Sequence, residues 1–229
     1  MKIKPFIFIV VLFFCLFVRI QASSPVTLII LHTSDLHGHL IQEGKFPGVA
    51  RLGALFKNIR EKYPNTLVLD AGDAVSGTPV STIFKGTPVF EVMNEMGYDI
   101  GLLGNHEFDY GWKQIDHFKE MAKFPILCAN VFDTENKGLG DGPFVIYNIN
   151  GLMIGVIGVI TEDLPNLITP NGNRDIKIAS VEKAIKLYLP ELQEQSDIII
   201  LLSHLGFKDD QKIARACKGI DIIIGGHSN

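Results

Sequence analysis

Five apolar, strand-like runs in this chain each lead directly into residues that can hold a cation. Val26–Leu31 runs into Asp35-Leu36-His37, and Thr66–Leu69 runs into Asp70-Ala71-Gly72-Asp73. Asp99–Leu103 runs into Gly104-Asn105-His106-Glu107. Asp197–Leu202 runs into Ser203-His204, and Asp221–Ile224 into Gly225-Gly226-His227-Ser228-Asn229. Strand-like runs that alternate with helix-like stretches imply a layered α/β domain. Ligands of such domains sit just beyond the carboxyl ends of the strands. The five ends are therefore expected to converge on one place, with donors enough for two metal ions.

The intervening stretches support that alternation. Val49 to Tyr63 has helical spacing, with Val49, Leu52, Leu55, Phe56 and Ile59 on one face, and Pro64-Asn65 ends it. Val89 to Met96 reads as a second helix stopped by Gly97, and Trp112 to Ala122 as a third. Pro125–Cys128 reads as a short buried strand. Phe144–Asn148 and Leu152–Ile157, joined around Asn150-Gly151, read as a hairpin. Val181 to Leu192 is expected to be helical, with Ser180 as its cap and Pro190 near its end, and Gln211 to Cys217 forms a short last helix. Thr134–Gly142 and Asn166–Arg174 read as surface loops.

The donor types define the chemistry. Asp35 and His37 are two apart, which puts both on one side of an extended segment and lets them grip one ion. Asp73 has two carboxylate oxygens and can bridge two ions. Asn105 offers an amide oxygen, and His204 and His227 offer imidazoles. A mixed N/O set admits Zn, Mn, Co, Fe or Mg, and the lack of a nearby cysteine argues against a Cys-type structural zinc site. Two ions about 3.5–4 Å apart can share a hydroxide and clamp the attacking and leaving oxygens of an in-line displacement at phosphorus. His106 is then placed to neutralise developing charge or protonate the leaving oxygen, and Asp109, three residues on, can orient its ring. Asp70 and Asp99 read as turn or strand-edge residues, His32 and His117 as structural, and His39 stays ambiguous between loop and site.

The first 22 residues look like a targeting segment. Lys2 and Lys4 precede the apolar stretch Phe6–Val18, 13 residues long, and Ile20-Gln21-Ala22 ends on a small residue suited to cleavage. Such a stretch fits a signal-peptide core and is short for a membrane span; an uncleaved anchor is the alternative. Cleavage removes three positive charges and no acid, taking the formal charge from −4 to −7. An acidic chain of this kind is a poor general binder of nucleic acid, so any phosphate it handles needs bound cations. Cys128 and Cys217 are expected to be two buried free thiols.

At Leu31-His32-Thr33-Ser34-Asp35-Leu36-His37-Gly38, Gly72-Asp73, Gly104-Asn105-His106-Glu107-Phe108-Asp109, Ser203-His204-Leu205-Gly206 and Gly225-Gly226-His227-Ser228 the chain resembles the calcineurin-like metallophosphoesterases, and within them the secreted 5′-nucleotidases. Gly48-Val49-Ala50-Arg51-Leu52 is similar to that family too. The resemblance implies a four-layer α/β/β/α sandwich. It implies two divalent ions, one held by Asp35, His37 and Asp73, the other by Asp73, Asn105, His204 and His227, with His106 and Asp109 as the catalytic pair. Where the family has His or Gln two residues after the last ligand, completing the first site, this chain has Asn229.

The activity so implied is an exported di-metal phosphoesterase acting on phosphate monoesters, 5′-nucleotides foremost, in a periplasmic, extracellular or cell-surface setting. Membrane contact would come only through the N-terminal segment. Relatives of the family also use 2′,3′-cyclic nucleotides, nucleotide sugars and sulfur compounds. Residues 23–229 are expected to be the catalytic domain with its last strands missing and without the C-terminal domain that stacks the base; an inactive truncated remnant is the competing reading.

Overall fold

The computed structural model describes residues 25–170 and 173–228, so the targeting segment expected at residues 1–22 and Asn229 both lie outside the described residues. The elements run β1 (Ile29–Thr33), α1 (Val49–Lys62), β2 (Thr66–Asp70), α2 (Pro79–Ile83), α3 (Thr87–Met96), β3 (Gly101–Leu102), α4 (Gln114–Met121), β4 (Ile126–Leu127), β5 (Val131–Phe132), β6 (Phe144–Ile149) and β7 (Leu152–Ile160). Then follow α5 (Leu164–Leu167), β8 (Lys177–Ile178), α6 (Val181–Gln195), β9 (Ile198–His204), α7 (Phe207–Ala216) and β10 (Ile222–Gly225).

Two sheets result. In the first, β1 pairs parallel with β2 and β3 parallel with β4, and a Leu69–Ile100 bridge joins β2 to the segment leading into β3. The second has the order β10-β9-β7-β6, parallel except for the β6–β7 hairpin. Val156 and Ile154 of β7 and Ile200 and Leu202 of β9 face Leu67, Leu69, Leu102 and Leu127 of the other sheet. Their neighbours Ile157, Val159, Ile199 and Leu201 point the opposite way, onto Ala184, Ile185, Leu189 and Leu192 of α6 and Ile213 of α7. On the far side of the first sheet, Val68, Leu103 and Ile126 meet Phe56, Val89, Phe90, Met93, Ile115 and Phe118 of α1, α3 and α4. Successive strand residues point to opposite faces, and each face of the central strands is covered, so their sequences are continuous apolar runs rather than alternating ones. The layers are helix, sheet, sheet, helix, as the sequence implied.

Several local expectations shift. β1 starts at Ile29 rather than Val26 and continues to Thr33, and β3 keeps only two residues of its run. Leu55 is 52 % exposed. It lies about 80° around the helix from the centre of the stripe formed by Val49, Leu52, Phe56 and Ile59. Ser180 makes no side-chain cap on α6; the carboxylate of Glu162 takes the Val181 N–H instead, at 2.8 Å. That helix runs through Pro190 to Gln195, and α7 begins four residues early at Phe207. The Asn150-Gly151 turn has φ of 52° and 89°, the left-handed pair that a tight hairpin requires. Cys128 and Cys217 are both free and buried.

Candidate metal centre

The parallel strands of each sheet deliver their carboxyl-terminal loops to one end of the sandwich. Asp35 and His37 arrive there differently from the extended geometry expected of them. Both have left-handed backbone, φ 54° and 46°, so they lie in a turn. That turn is fastened to the loop after β2 by three hydrogen bonds: Asp35 N–H to Gly72 O (2.9 Å), His37 N–H to Asp73 O (3.0 Å) and Gly38 N–H to Ala74 O (2.8 Å). The turn still brings the pair together, with His37 Nε2 4.0 Å from Asp35 Oδ1. Asp73 (φ 56°) and His227 (φ 74°) are left-handed as well. Backbone strain of this kind costs of order 1–3 kcal/mol per residue and persists where the surrounding fold over-determines it.

Asp73 is the hub and is 3 % exposed. Its Oδ1 accepts the His106 N–H at 2.8 Å, and its Oδ2 lies 3.1 Å from His204 Nε2. The two sets His37, Asp73, His106 and Asp73, His204, His227 each bring their donor atoms within 4.8 Å of one another, with Asp73 common to both. His204 is fully buried, and its Nδ1 faces the carbonyl of Ala71 at 2.7 Å. Nδ1 is therefore the protonated nitrogen, and Nε2 turns to the centre. That Nε2 and Asn105 Oδ1 are buried without a hydrogen-bond partner, since the Asp73 contact lacks hydrogen-bond geometry. Two orphaned buried atoms, one of them 3.1 Å from a carboxylate common to both donor sets, fit a divalent cation, as does their N/O character. The backbone N–H of His227 rests on both oxygens of Asp35, at 3.2 and 3.3 Å. The rings of His37 and His106, and those of His204 and His227, stand edge-on with centroids 4.9 Å apart.

The electrostatics follow from this crowding. Burial opposes a charged His204, but the Asp73 carboxylate outweighs it and raises the imidazole to about 9. Burial likewise works against an ionised Asp73, and His204 and His106 hold its carboxyl below the usual range. His227 is lowered by burial and by the neighbouring charge of His204. His106 Nδ1 lies 2.8 Å from Asp109 Oδ2, and that bond raises the ring's affinity for its proton against the opposing effect of burial.

Glu107 has a part that sequence reasoning missed. It is 1 % exposed, and its two oxygens accept the backbone N–H groups of Asp73 (3.0 Å), Ala74 (2.9 Å), Val75 (3.3 Å) and Gly104 (2.6 Å). Burial and the Asp73 charge push it up to about 7, while the N–H bonds pull the other way. It ties the loop after β2 to the loop after β3. A Cβ at Gly104 would collide with Asp73, so only glycine permits this approach. Asp70 is also more than a turn residue: burial, with Glu107 nearby, raises it to about 8, and it accepts from Thr33 Oγ1 and Gly72 N–H.

The remaining expectations fall out as follows. Asp99 pairs with Arg60 at 2.5 Å, His117 bonds Thr87 on the helical layer, and His32 is exposed on β1. His39 Nδ1 meets Glu43 at 3.1 Å and lines a cavity of about 380 Å³ with Asp35, Leu36 and Phe46. Asn229 lies outside the described residues.

Comparison with known proteins gives the same picture. The calcineurin-like phosphoesterase family model matches residues 28–229. The 5′-nucleotidase of Bos taurus is 37 % identical over 91 % of this chain, which spans 39 % of that protein's length. Among solved structures, the 5′-nucleotidase precursor of Thermus thermophilus superposes with a TM-score of 0.79 at 32 % identity, over 87 % of this chain and 41 % of its own. The NAD nucleotidase of Haemophilus influenzae gives a TM-score of 0.77 at 32 % identity, over 87 % and 38 %. A family model spanning nearly every described residue leads to one assignment: the chain belongs to the calcineurin-like phosphoesterase family.

Proposed function

We propose that residues 23–229 form the catalytic domain of an exported, di-metal phosphomonoesterase that converts 5′-nucleotides to nucleosides and phosphate. The observation that carries this reading is the Asp73 carboxylate common to both donor sets, with the orphaned His204 Nε2 3.1 Å away and Asn105 Oδ1 likewise buried without a partner. Asp35, His37 and Asp73 would hold one ion, with Asn229 as the remaining donor; Asp73, Asn105, His204 and His227 would hold the other. Zn, Mn, Co, Fe and Mg all suit this donor set. Bound there, the ions supply Lewis-acid stabilisation of phosphoryl charge and acidify water at neutral pH. His106 turns Nε2 toward the centre, because its Nδ1 faces Asp109, and serves the leaving ester oxygen as proton donor. The fully buried His204 and the buried Asn105 exclude bulk water from one side.

The acidic balance of the chain supports a small phosphate ester rather than a nucleic acid as substrate. Export rests on the N-terminal segment, and no helix among the described residues is long and apolar enough to cross a membrane. The test is hydrolysis of AMP and p-nitrophenyl phosphate by the purified chain with added Mn²⁺, Co²⁺ or Zn²⁺. Metal-dependent turnover is expected, lost in Asp73→Ala and cut by about 10²-fold or more in His106→Ala. Wild-type rates in either variant would remove that residue from the reading, and a panel with 2′,3′-cyclic nucleotides and nucleotide sugars ranks the substrates.

A further inference from the structure

Asp109 Oδ2, the oxygen that faces His106 Nδ1, accepts a second hydrogen bond, from Ser76 Oγ at 2.5 Å. Ser76 lies at φ 71°, where glycine or asparagine would be at ease and serine is strained. The strain is actively maintained. The Ser76 N–H is held by the fully buried Ser81 Oγ at 2.8 Å, and its carbonyl accepts from Thr78 N–H at 3.0 Å. Thr78 Oγ1 in turn donates to Gly38 O at 2.7 Å, in the turn that carries His37. The corner rests so closely on that turn that a Cβ at Gly77 would come within 2.8 Å of the His37 side chain.

We infer that Ser76 is a positioning residue for His106, acting through Asp109 in a Ser76–Asp109–His106 relay; the inference rests on the proton-donor role proposed above. An ionised carboxylate only accepts, so Asp109 holds one His106 proton on Nδ1, and the second proton of the imidazolium, on Nε2, is the one offered to the ester. With one donor alone, the carboxylate can rotate and the half-exposed ring follows it. With two donors on one oxygen, the rotation is stopped. The hydroxyl explains why serine occupies a backbone position better suited to glycine.

Ser76→Gly separates the two properties, because it relieves the backbone and deletes the hydroxyl. In the Mn²⁺-loaded full chain its melting temperature is expected to equal or exceed that of wild type, while kcat on AMP falls about tenfold and KM stays within about twofold. p-Nitrophenyl phosphate, whose leaving group needs little protonation, should lose much less. In an Asp109→Ala background, Ser76→Gly should add nothing. A crystal structure of Ser76→Gly is expected to show Asp109 turned from His106 or the ring in more than one orientation. A Gly variant that turns over AMP at the wild-type rate, or keeps both side chains in their wild-type positions, overturns the relay. A wild-type chain that hydrolyses neither ester overturns the functional reading instead, and the crystal structure still decides the relay.

Discussion

A carboxylate has two oxygens and can face two partners at once, and Asp73 does so. It is buried, left-handed, and approached by His204 on one oxygen and by the His106 N–H on the other. Without metal, the proton on His204 takes the place of a cation beside Asp73. That proton must leave before the imidazole can coordinate. Since the ring is raised to about 9, metal binding at pH 7 should release close to one proton from it, and affinity should climb with pH until about 9 and then level. Calorimetric titration with Mn²⁺ in two buffers of different ionisation enthalpy measures that release; identical heats in both would refute it. At this scale the legible residues were those whose type announces a donor: Asp, His and Asn after an apolar run. Glu107 and Ser76 were not legible, because their partners are backbone N–H groups and a carboxylate brought together from other loops. A glutamate that accepts four such N–H groups looks, in one dimension, like any surface acid.

Elements deliver the loops, and loops need fastening to one another. β2 and the segment leading into β3 share one bridge and a few backbone hydrogen bonds, and Glu107 adds four more that tie together the two loops that follow. Glu107→Ala would strand four N–H donors in the interior, and a loss of about 3 kcal/mol or more in urea unfolding is expected. Glu107→Gln, which turns an amide donor toward donors, should fall between. Both should weaken metal binding although neither touches the ions; full stability in the alanine variant would show that water substitutes for the carboxylate. The long strands were legible because both their faces are buried, which leaves an unbroken apolar run. The two-residue strands β5 and β8 and the short helices α2 and α5 were obscured, since two to five residues carry no period. The extended reading of Asp35 and His37 failed for a related reason: the φ of a loop is decided by the loop it binds, here the one containing Gly72 and Asp73.

The whole molecule stacks two sheets so that two sets of strand ends share one rim. Which face of β7 meets the other sheet and which meets α6 depends on register, and the runs alone do not reveal it; the layer order came from family resemblance. Because ions would bridge loops of both sheets, they should act as a clasp on the entire fold. A ligand present at about 100 times its dissociation constant stabilises the native state by about 2.7 kcal/mol. Mn²⁺ should therefore raise the melting temperature, EDTA should reverse the rise, and Asp73→Ala should melt at the same temperature with or without the ion. A metal-induced rise that survives in Asp73→Ala would place the binding elsewhere.

The left-handed backbone at Asp35, His37, Asp73 and His227 has an evolutionary consequence. Each position would relax by about 1–2 kcal/mol if glycine replaced the side chain. Directed evolution that rewards heat tolerance in the absence of metal would drift toward glycine at these codons wherever the relief exceeds the side-chain bonds lost, and return a chain stripped of those candidate donors. Survival of heating and retention of the centre thus exert opposite pressures on the same positions, and a library intended to keep both must hold them constant.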